Sequence, residues 1–208
     1  MNHNYLIGII LFSTILGVAI IIVAILALCQ QQKIKHFRQK KNELQKMIDN
    51  NQTLLNDNLV VIKIKYELPK NEICYYQAPI IGYEITKPKE LQQNIYYLTQ
   101  QMKEQYYIEY LAGYLNLTTN NGKETNGKET INGTIYVTNY RLVFETKDQN
   151  LIIWLKNINF VLPSIFNLNG FYQIGFFIST TEKIYRFITN DVKISMTIFK
   201  TWQQNRGG

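Results

Sequence analysis

Apolar residues follow two different patterns along this chain. Residues 5–29 form one apolar block without a charged side chain, whereas from residue 59 onward apolar and polar residues mostly alternate in short runs. At ~1.5 Å per residue the block makes a helix of about 37 Å, enough to cross a ~30 Å hydrocarbon core with some tilt. Alternation with a period of two is typical of half-buried strands. The pattern therefore predicts a transmembrane helix at 5–29, a juxtamembrane helix or linker at 30–58 and a mainly β domain at 59–208.

Within the β domain, most segments are predicted to be short strands. Strands are expected at 59–68, at 71–79 with Pro79 ending the strand, and at 106–119, 151–163, 170–180 and 183–189. A helical pattern covers 87–105, and the repeated pentapeptide at 121–130 is expected to be a solvated loop. A last helix covers 190–205, capped by Asn190 or Asp191. Its core-facing stripe is formed by Val192, Met196, Phe199 and Trp202, widened by Ile194 and Ile198.

Residues 132–147 predict a β-hairpin with a two-residue turn at Asn139 and Tyr140. Apolar residues then lie opposite apolar residues: Ile135 faces Phe144, Val137 faces Leu142 and Tyr136 faces Val143. Such pairs stabilise antiparallel strands, and Asn tolerates the positive φ that a tight hairpin turn demands. A slip of one residue would turn the core residues of one strand outward, so the register is well specified.

The net charge of +7 is distributed unevenly. Residues 33–46 carry six basic side chains against Glu43 alone, while the remaining chain carries 16 basic and 14 acidic side chains. The β domain is therefore nearly neutral, whereas a nucleic-acid-binding domain carries a basic face, and nucleic acid is not an expected partner. Because Lys and Arg beside a span stay on the cytoplasmic side, the N-terminus is expected outside and the C-terminal domain in the cytoplasm.

Two other interpretations of the apolar block involve cleavage. A signal peptide has a positive n-region and an apolar stretch of ~7–15 residues, and this chain has neither. A bacterial lipoprotein signal ends at a cysteine, as this block does at Cys29, but usually has a small residue just before it, where this chain has Leu28. A retained anchor is favoured. The alternative is a surface-exposed lipoprotein or exported adhesin-like domain lipidated at Cys29.

The juxtamembrane stretch 30–58 has the pattern of a helix. Its apolar residues Phe37, Leu44, Ile48 and Leu55 have the spacing of a short heptad seam. Two interpretations stay open: weak self-association through this helix, or a stalk that continues the anchor. The stalk is favoured because the seam is short and interrupted by polar residues.

Basic side chains of this stretch are the candidate site for contact with the membrane surface. A basic residue near anionic head groups contributes ~1 kcal/mol, and the same residues also act as the orientation signal. The predicted head-group contacts are Lys33, Lys35, Arg38, Lys40 and Lys41.

Residue types that carry catalysis are sparse. A histidine base beside a nucleophile is hard to build, because neither histidine lies in the β domain, and the two cysteines form no CxxC or Cys/His cluster. No catalytic residue, metal ligand or cofactor is therefore predicted. Arg141 and Arg186 are candidates for recognising an anion, although ordinary solvated positions on strand faces are favoured for both.

One stretch of the chain resembles a known family. Gly133, the alternating residues 135–137, the run Thr138-Asn139-Tyr140-Arg141 and the alternating residues 142–144 are similar to the GRAM-like branch of the pleckstrin-homology (PH-like) superfamily. The later order of an apolar strand, a hairpin and a C-terminal helix also agrees, so that the resemblance covers about residues 72–203. It implies an α+β fold in which a strongly bent antiparallel sheet is capped by the C-terminal helix, with no enzymatic activity.

Anchor, charge and resemblance together favour a membrane-anchored binding or scaffold module. The resemblance to the PH-like superfamily implies a domain that binds lipids, peptides or proteins. Since the β domain is nearly neutral and the anchor already confers membrane residence, the expected partner is a membrane or membrane-associated protein, with the anionic bilayer as the other candidate.

Overall fold

The structure is a computed structural model that describes most of the chain. The described residues are 3–86, 129–147, 150–168, 171–181 and 183–206. The predicted helix at 87–105, the predicted strand at 106–119 and all but the last two residues of the predicted loop at 121–130 lie outside these ranges. The chain divides into two compact units, Met1–Gln39 and Lys40–Gly208.

A single long helix, α1, covers His3–Asp49. Among the described residues it is the one helix long and apolar enough to cross a membrane. It continues through Cys29 without interruption, so the predicted span and most of the predicted juxtamembrane helix form one element. The hydroxyl of Thr14 donates to the carbonyl of Leu11 over 2.8 Å, which satisfies this polar group within the helix.

The end of α1 belongs to the second unit, where it is followed by a single helical turn, α2 (Thr53–Asn56). Leu44 and Ile48 are buried, and Leu55 packs against the main apolar core. Three of the four residues in the predicted heptad seam therefore have a packing role inside the chain. Self-association through this helix remains a prediction.

Seven antiparallel strands form one sheet in the second unit. They are β1 (Cys74–Thr86), β2 (Glu129–Thr138), β3 (Arg141–Thr146), β4 (Asn150–Trp154), β5 (Ile158–Leu168), β6 (Phe171–Thr180) and β7 (Lys183–Ile188). Their spatial order is β4-β3-β2-β1-β7-β6-β5, so β4 and β5 are the two edges of the part of the sheet that the structure describes. Strands that are neighbours in the sheet are also consecutive in the described chain, with one exception. The exception is the pairing of β7 with β1.

The hairpin of β2 and β3 has the predicted register. Ile135 pairs with Phe144, Tyr136 with Val143 and Val137 with Leu142. One face of this hairpin joins the main core, and the other face, formed by Tyr136 and Val143 together with Cys74, makes a smaller apolar cluster. Both faces are buried, which explains why the alternation in this segment contains so few polar residues.

Pro79 does not end the second predicted strand, because β1 continues to Thr86. Pro79 pairs with Thr134 of β2, while the pairing of β1 with β7 begins only at Ile81. Pro79 therefore lies outside the part of β1 that pairs with β7. Its missing N–H removes no hydrogen bond between those two strands.

Two other strand predictions are wrong. Residues 59–68 form an irregular extended segment whose one strand-like contact is a bridge between Ile62 and Cys74. The predicted strand at 151–163 is two strands, because a turn of 3-10 helix at Leu155–Asn157 separates β4 from β5.

The C-terminal helix α3 (Val192–Arg206) covers the core. The whole predicted stripe of this helix is buried, and the indole of Trp202 donates to the carbonyl of Ile158 over 2.8 Å. Asp191 is the cap, since its carboxylate accepts the N–H of Lys193. Beneath the helix, the ring of Phe187 stacks on those of Phe144 and Phe176 with centroids 5.0 Å apart. The sheet, α1 and this helix agree with the predicted mainly β, α+β class.

Candidate functional site

The tip of the β2–β3 hairpin is held by one acidic residue from outside the hairpin. Glu72 accepts hydrogen bonds from Nε and Nη2 of Arg141, both over 2.9 Å, and from the hydroxyl of Thr138 over 2.7 Å. The side chains of Arg141 and Glu72 are only 13% and 5% exposed. This bidentate and largely buried pair makes Arg141 a structural residue, and the prediction that it is an ordinary solvated charge is wrong.

The turn itself is built differently from the prediction. Among the described non-glycine residues only Asn71 has a positive φ, so Asn139 does not adopt a left-handed conformation. Instead, the hydroxyl of Thr138 accepts the N–H of Arg141 over 3.0 Å and closes the turn. Asn139 faces residues 71–73, accepting the N–H of Ile73 through its side chain over 3.0 Å.

A cleft runs along the free edge of β4. It has a volume of about 440 Å³ and lies between β4 and the β6–β7 hairpin, with Tyr185 in its lining. Three consecutive residues of β4 line it. Since successive side chains of a strand point to opposite faces, a cavity that contacts all three must also contact the strand's edge. The β4 residues are Ile152, Ile153 and Trp154, and those of the other wall are Asn157, Thr180, Thr181 and Lys183.

The β4 edge combines apolar and cationic groups. Ile152 and Trp154 are 40% and 44% exposed, on a strand whose outer backbone groups face no further strand among the described residues. The guanidinium of Arg141 and the ammonium of Lys156 lie 5.4 Å and 6.0 Å from the centre of the Trp154 ring. Such an edge offers hydrogen-bond donors and acceptors, an aromatic surface and positive charge in one place.

The predicted head-group contacts divide between the two units. Lys33, Lys35 and Arg38 are exposed on the part of α1 that belongs to the first unit. Lys40 is half-buried and forms an ion pair with Glu43 over 2.8 Å, so its charge is partly compensated, while Lys41 is exposed. All five lie on one continuous helix C-terminal to the apolar block.

Arg186 is buried in β7, with 6% of its surface exposed. Its Nε and Nη1 have no hydrogen-bond partner among the described residues, and burial lowers the pKa of its guanidinium to about 10. The prediction that Arg186 is a solvated charge is therefore wrong as well. No sequence signal points to this burial, because Arg186 occupies an ordinary polar position in the alternation, between Tyr185 and Phe187.

Two phenols, that of the buried Tyr136 and that of the partly buried Tyr76, bind carboxylates. The hydroxyl of Tyr136 donates to Glu145 over 2.6 Å, and burial together with this hydrogen bond raises the pKa of Tyr136 to about 12. The hydroxyl of Tyr76 donates to Asp191, and burial followed by this contact raises its pKa further. These contacts tie β2 to β3 and β1 to the start of α3, so both tyrosines stabilise the fold.

No group of three or more His, Cys, Asp or Glu side chains suitable for a metal ion occurs among the described residues. The thiol of Cys74 is buried, which raises its pKa, whereas Cys29 is exposed. The chain matches no family model, no curated protein and no solved structure. The candidate site is accordingly defined by geometry alone: the cleft and free edge at β4.

Proposed function

We propose that this protein is a single-pass membrane protein whose cytoplasmic β domain is a non-enzymatic, PH-like module that binds a protein partner. The anchor is the apolar part of α1, and the five basic residues that follow it favour a cytoplasmic C-terminus. The domain provides a binding surface, and its described residues include no group suited to a metal ion. The lysines and arginine beside the span add contact with anionic head groups.

One observation carries the PH-like assignment. The resemblance of residues 72–203 implies a bent antiparallel sheet capped by a C-terminal helix, and one antiparallel sheet with a helix packed on its core supports it. The Thr-Asn-x-Arg run occupies the hairpin turn, as expected for that family's pattern. Its role here is structural, because Thr138 and Arg141 both bind Glu72.

The partner is an extended segment of another membrane-associated protein, and it binds along β4. The free backbone edge of β4 can pair with an added strand, while Ile152 and Trp154 supply apolar contacts. Lys156 and Lys183 favour a segment that carries acidic side chains. A protein partner fits this edge better than a bilayer does, since strand pairing requires a second backbone.

Site-specific photo-crosslinking in cells tests the partner. A photoreactive residue at Trp154 is expected to give a discrete adduct, and reversing the charge of Lys156 and Lys183 is expected to reduce its yield. The matched control is a photoreactive residue at Val60, which is exposed but distant in sequence from the edge. Equal adducts at both positions, or none at Trp154, would contradict the β4 assignment.

A protease test addresses the orientation separately. Protease added to intact cells is expected to leave the β domain undigested, and permeabilised cells serve as the control. Digestion in intact cells would favour the alternative, in which Cys29 carries a lipid and the domain is exposed at the surface. Metabolic labelling with a fatty acid, compared between the wild type and Cys29→Ser, distinguishes that alternative directly.

A further inference from the structure

An extended segment of this chain, residues 62–68, lies on the outer face of the β2–β3 hairpin, and we call it the strap. Every second side chain of the strap is half-buried against the apolar cluster of Cys74, Tyr136 and Val143, whereas the side chains between them are exposed. The half-buried side chains are those of Ile62, Ile64, Tyr66 and Leu68. The hairpin face thus already binds an extended segment with apolar side chains at every second position.

Mainly side chains hold the strap in place. Among the described residues, its one strand-like contact is the bridge between Ile62 and Cys74. The ring of Tyr66 stacks on that of Tyr136 with centroids 5.0 Å apart, and its hydroxyl accepts an N–H of the Asn150 side chain over 3.4 Å. A segment with so few ladder contacts opens locally at a lower free energy than a central strand does.

The chain is fixed on both sides of the strap. After the strap it turns, and the N–H of Glu72 donates to the carbonyl of Pro69 over 3.0 Å. Asn71, the third residue of this turn, has a positive φ of 76°, which Asn tolerates. Before the strap, Leu55 packs against the main core. Opening of the strap therefore leaves the rest of the domain in place.

The face beneath the strap continues to the β4 edge. Tyr136 of β2 pairs with Val143 of β3, which pairs with Ile152 of β4, so the three side chains form one row on one face of the sheet. Tyr136 and Val143 are 4% and 0% exposed, whereas Ile152 is 40% exposed. Trp154, two residues further along β4, shares that face. The exposed surface at β4 is therefore the outer part of an apolar surface whose inner part lies under the strap.

We propose that the partner-binding surface at β4 continues beneath the strap, and that the strap covers this inner part until it opens. The inference rests on the proposed function, since it gives the same partner a larger surface. The inner part receives the partner's extended segment, because an extended segment of this chain already fits there. Opening of the strap adds Tyr136 and Val143 to the contact and so controls how much surface the partner buries.

The rate at which a maleimide reagent labels Cys74 measures the opening of the strap. The chain has two cysteines, so Cys74 is the only thiol in Cys29→Ser, and it is 1% exposed. With this chain in neutral detergent micelles, Tyr66→Ala is expected to raise the labelling rate about tenfold, because the stacking and the hydrogen bond of Tyr66 are lost. Lys65→Ala, at an exposed position of the strap, is the matched control and is expected to leave the rate unchanged.

A variant destabilised elsewhere separates local opening from global unfolding. Leu44 is buried but is not part of the cluster beneath the strap. Leu44→Ala in the Cys29→Ser chain is therefore expected to lower the Tm and to leave the labelling rate of Cys74 unchanged. If Tyr66→Ala and Leu44→Ala both raise the labelling rate in proportion to their loss of global stability, the strap opens only when the domain unfolds, and the proposal is wrong.

Photo-crosslinking in cells tests whether the partner uses the covered part. In Tyr66→Ala, a photoreactive residue at Trp154 is expected to give several-fold more adduct than in the wild type. A photoreactive phenylalanine derivative at Tyr136 is expected to capture the same protein in Tyr66→Ala and to give little adduct when the strap is intact. An unchanged or lower yield at Trp154, or no capture at Tyr136 in Tyr66→Ala, would overturn the proposal.

Failure of this proposal and failure of the proposed function give different results. If the wild type forms no adduct at Trp154, the proposed function is wrong, and control of that surface by the strap is wrong with it. If the adduct forms but does not respond to Tyr66→Ala, the partner site stands and the covering role of the strap is wrong. The labelling of Cys74 decides in both cases whether the strap opens locally.

Discussion

Glu72 holds the tip of the β2–β3 hairpin through one carboxylate. Its carboxylate binds both Arg141 and Thr138 while only 5% exposed. Glu72→Gln leaves the guanidinium of Arg141 buried beside a neutral amide, and breaking a buried pair in this way costs about 3 kcal/mol. We expect the free energy of unfolding, measured by denaturant titration of the full chain in detergent, to fall by about that amount.

The control for this substitution is the ion pair of Lys40 and Glu43, which has the same chemistry in a more exposed setting. Glu43→Gln is expected to cost less than about 1 kcal/mol, as is usual for exposed pairs three or four residues apart on a helix. Equal losses for the two variants would show that burial is not what gives the Glu72 pair its strength.

Tyr136 makes the stability of the β domain sensitive to alkaline pH. Its pKa is raised from 10.0 to about 12 by burial and by the hydrogen bond to Glu145. A phenol whose pKa is higher in the folded state stabilises the protein fully below pH 10, and this contribution is lost as the pH rises toward 12. Tyr136→Phe is expected to flatten the fall of the unfolding free energy between those two pH values.

Tyr76 provides the comparison, because the hydrogen bond to Asp191 adds to burial and raises its pKa further. The loss of stability that Tyr76→Phe removes should therefore begin near pH 10, as for Tyr136→Phe, but should extend to higher pH. If the unfolding free energy of both variants depends on alkaline pH as that of the wild type does, then ionisation of the two phenols is not linked to unfolding.

At the scale of elements, Asp191 connects the end of the sheet to the final helix. Its carboxylate caps α3 through the N–H of Lys193 and also accepts the hydroxyl of Tyr76. Asp191→Ala removes both contacts, and the loss of a cap alone costs about 1 kcal/mol. Asp191→Asn is the matched variant, since Asn caps helices almost as well. We expect the unfolding free energy to fall for Ala and to change much less for Asn.

Sequence patterns predicted the elements that depend on local alternation. The β2–β3 register follows from apolar residues placed opposite one another, and α3 follows from its cap and its apolar stripe. The failures depend on distant neighbours. Pro79 was expected to end a strand, but β1 tolerates it because β7 pairs with β1 only from Ile81 onward. That information lies about a hundred residues away in the chain.

The same limit applies to the site residues. The contact of Glu72 with Arg141 joins positions 69 residues apart, and no spacing rule points to it. The cleft at β4 depends on the turn of 3-10 helix at Leu155–Asn157. The sequence pattern had predicted a single strand across this turn. The basic residues after the apolar block were predicted from a local signal, charge beside an apolar block, and their contact with head groups remains a prediction.

At the scale of the whole molecule, α1 belongs to two compact units, which divide after Gln39. Leu44 is 0% exposed within the second unit, so Leu44→Ala is expected to lower the unfolding free energy of the β domain by about 2–5 kcal/mol. Leu26 lies in the apolar block and is 62% exposed in the chain. Leu26→Ala is expected to leave that free energy unchanged.

Denaturant titration in detergent, followed by the fluorescence of the buried Trp202, measures both variants. A result in which Leu44→Ala and Leu26→Ala have the same effect would contradict the division of the helix. Chemical crosslinking of the Leu44→Ala variant also tests the predicted self-association. If Leu44 packs between two copies of the chain, the substitution should reduce the yield of crosslinked dimer as well as the free energy of unfolding.

The position of β1 in the sheet affects how the protein is made. β1 pairs with β2 on one side and with β7 on the other, and β7 begins at Lys183, near the end of the chain. At ~5–20 residues per second, roughly 5–20 s of translation separate the synthesis of the two strands. Throughout that interval the side of β1 that later pairs with β7 has no β7 to pair with, and this is when chaperones or neighbouring nascent chains have access to it.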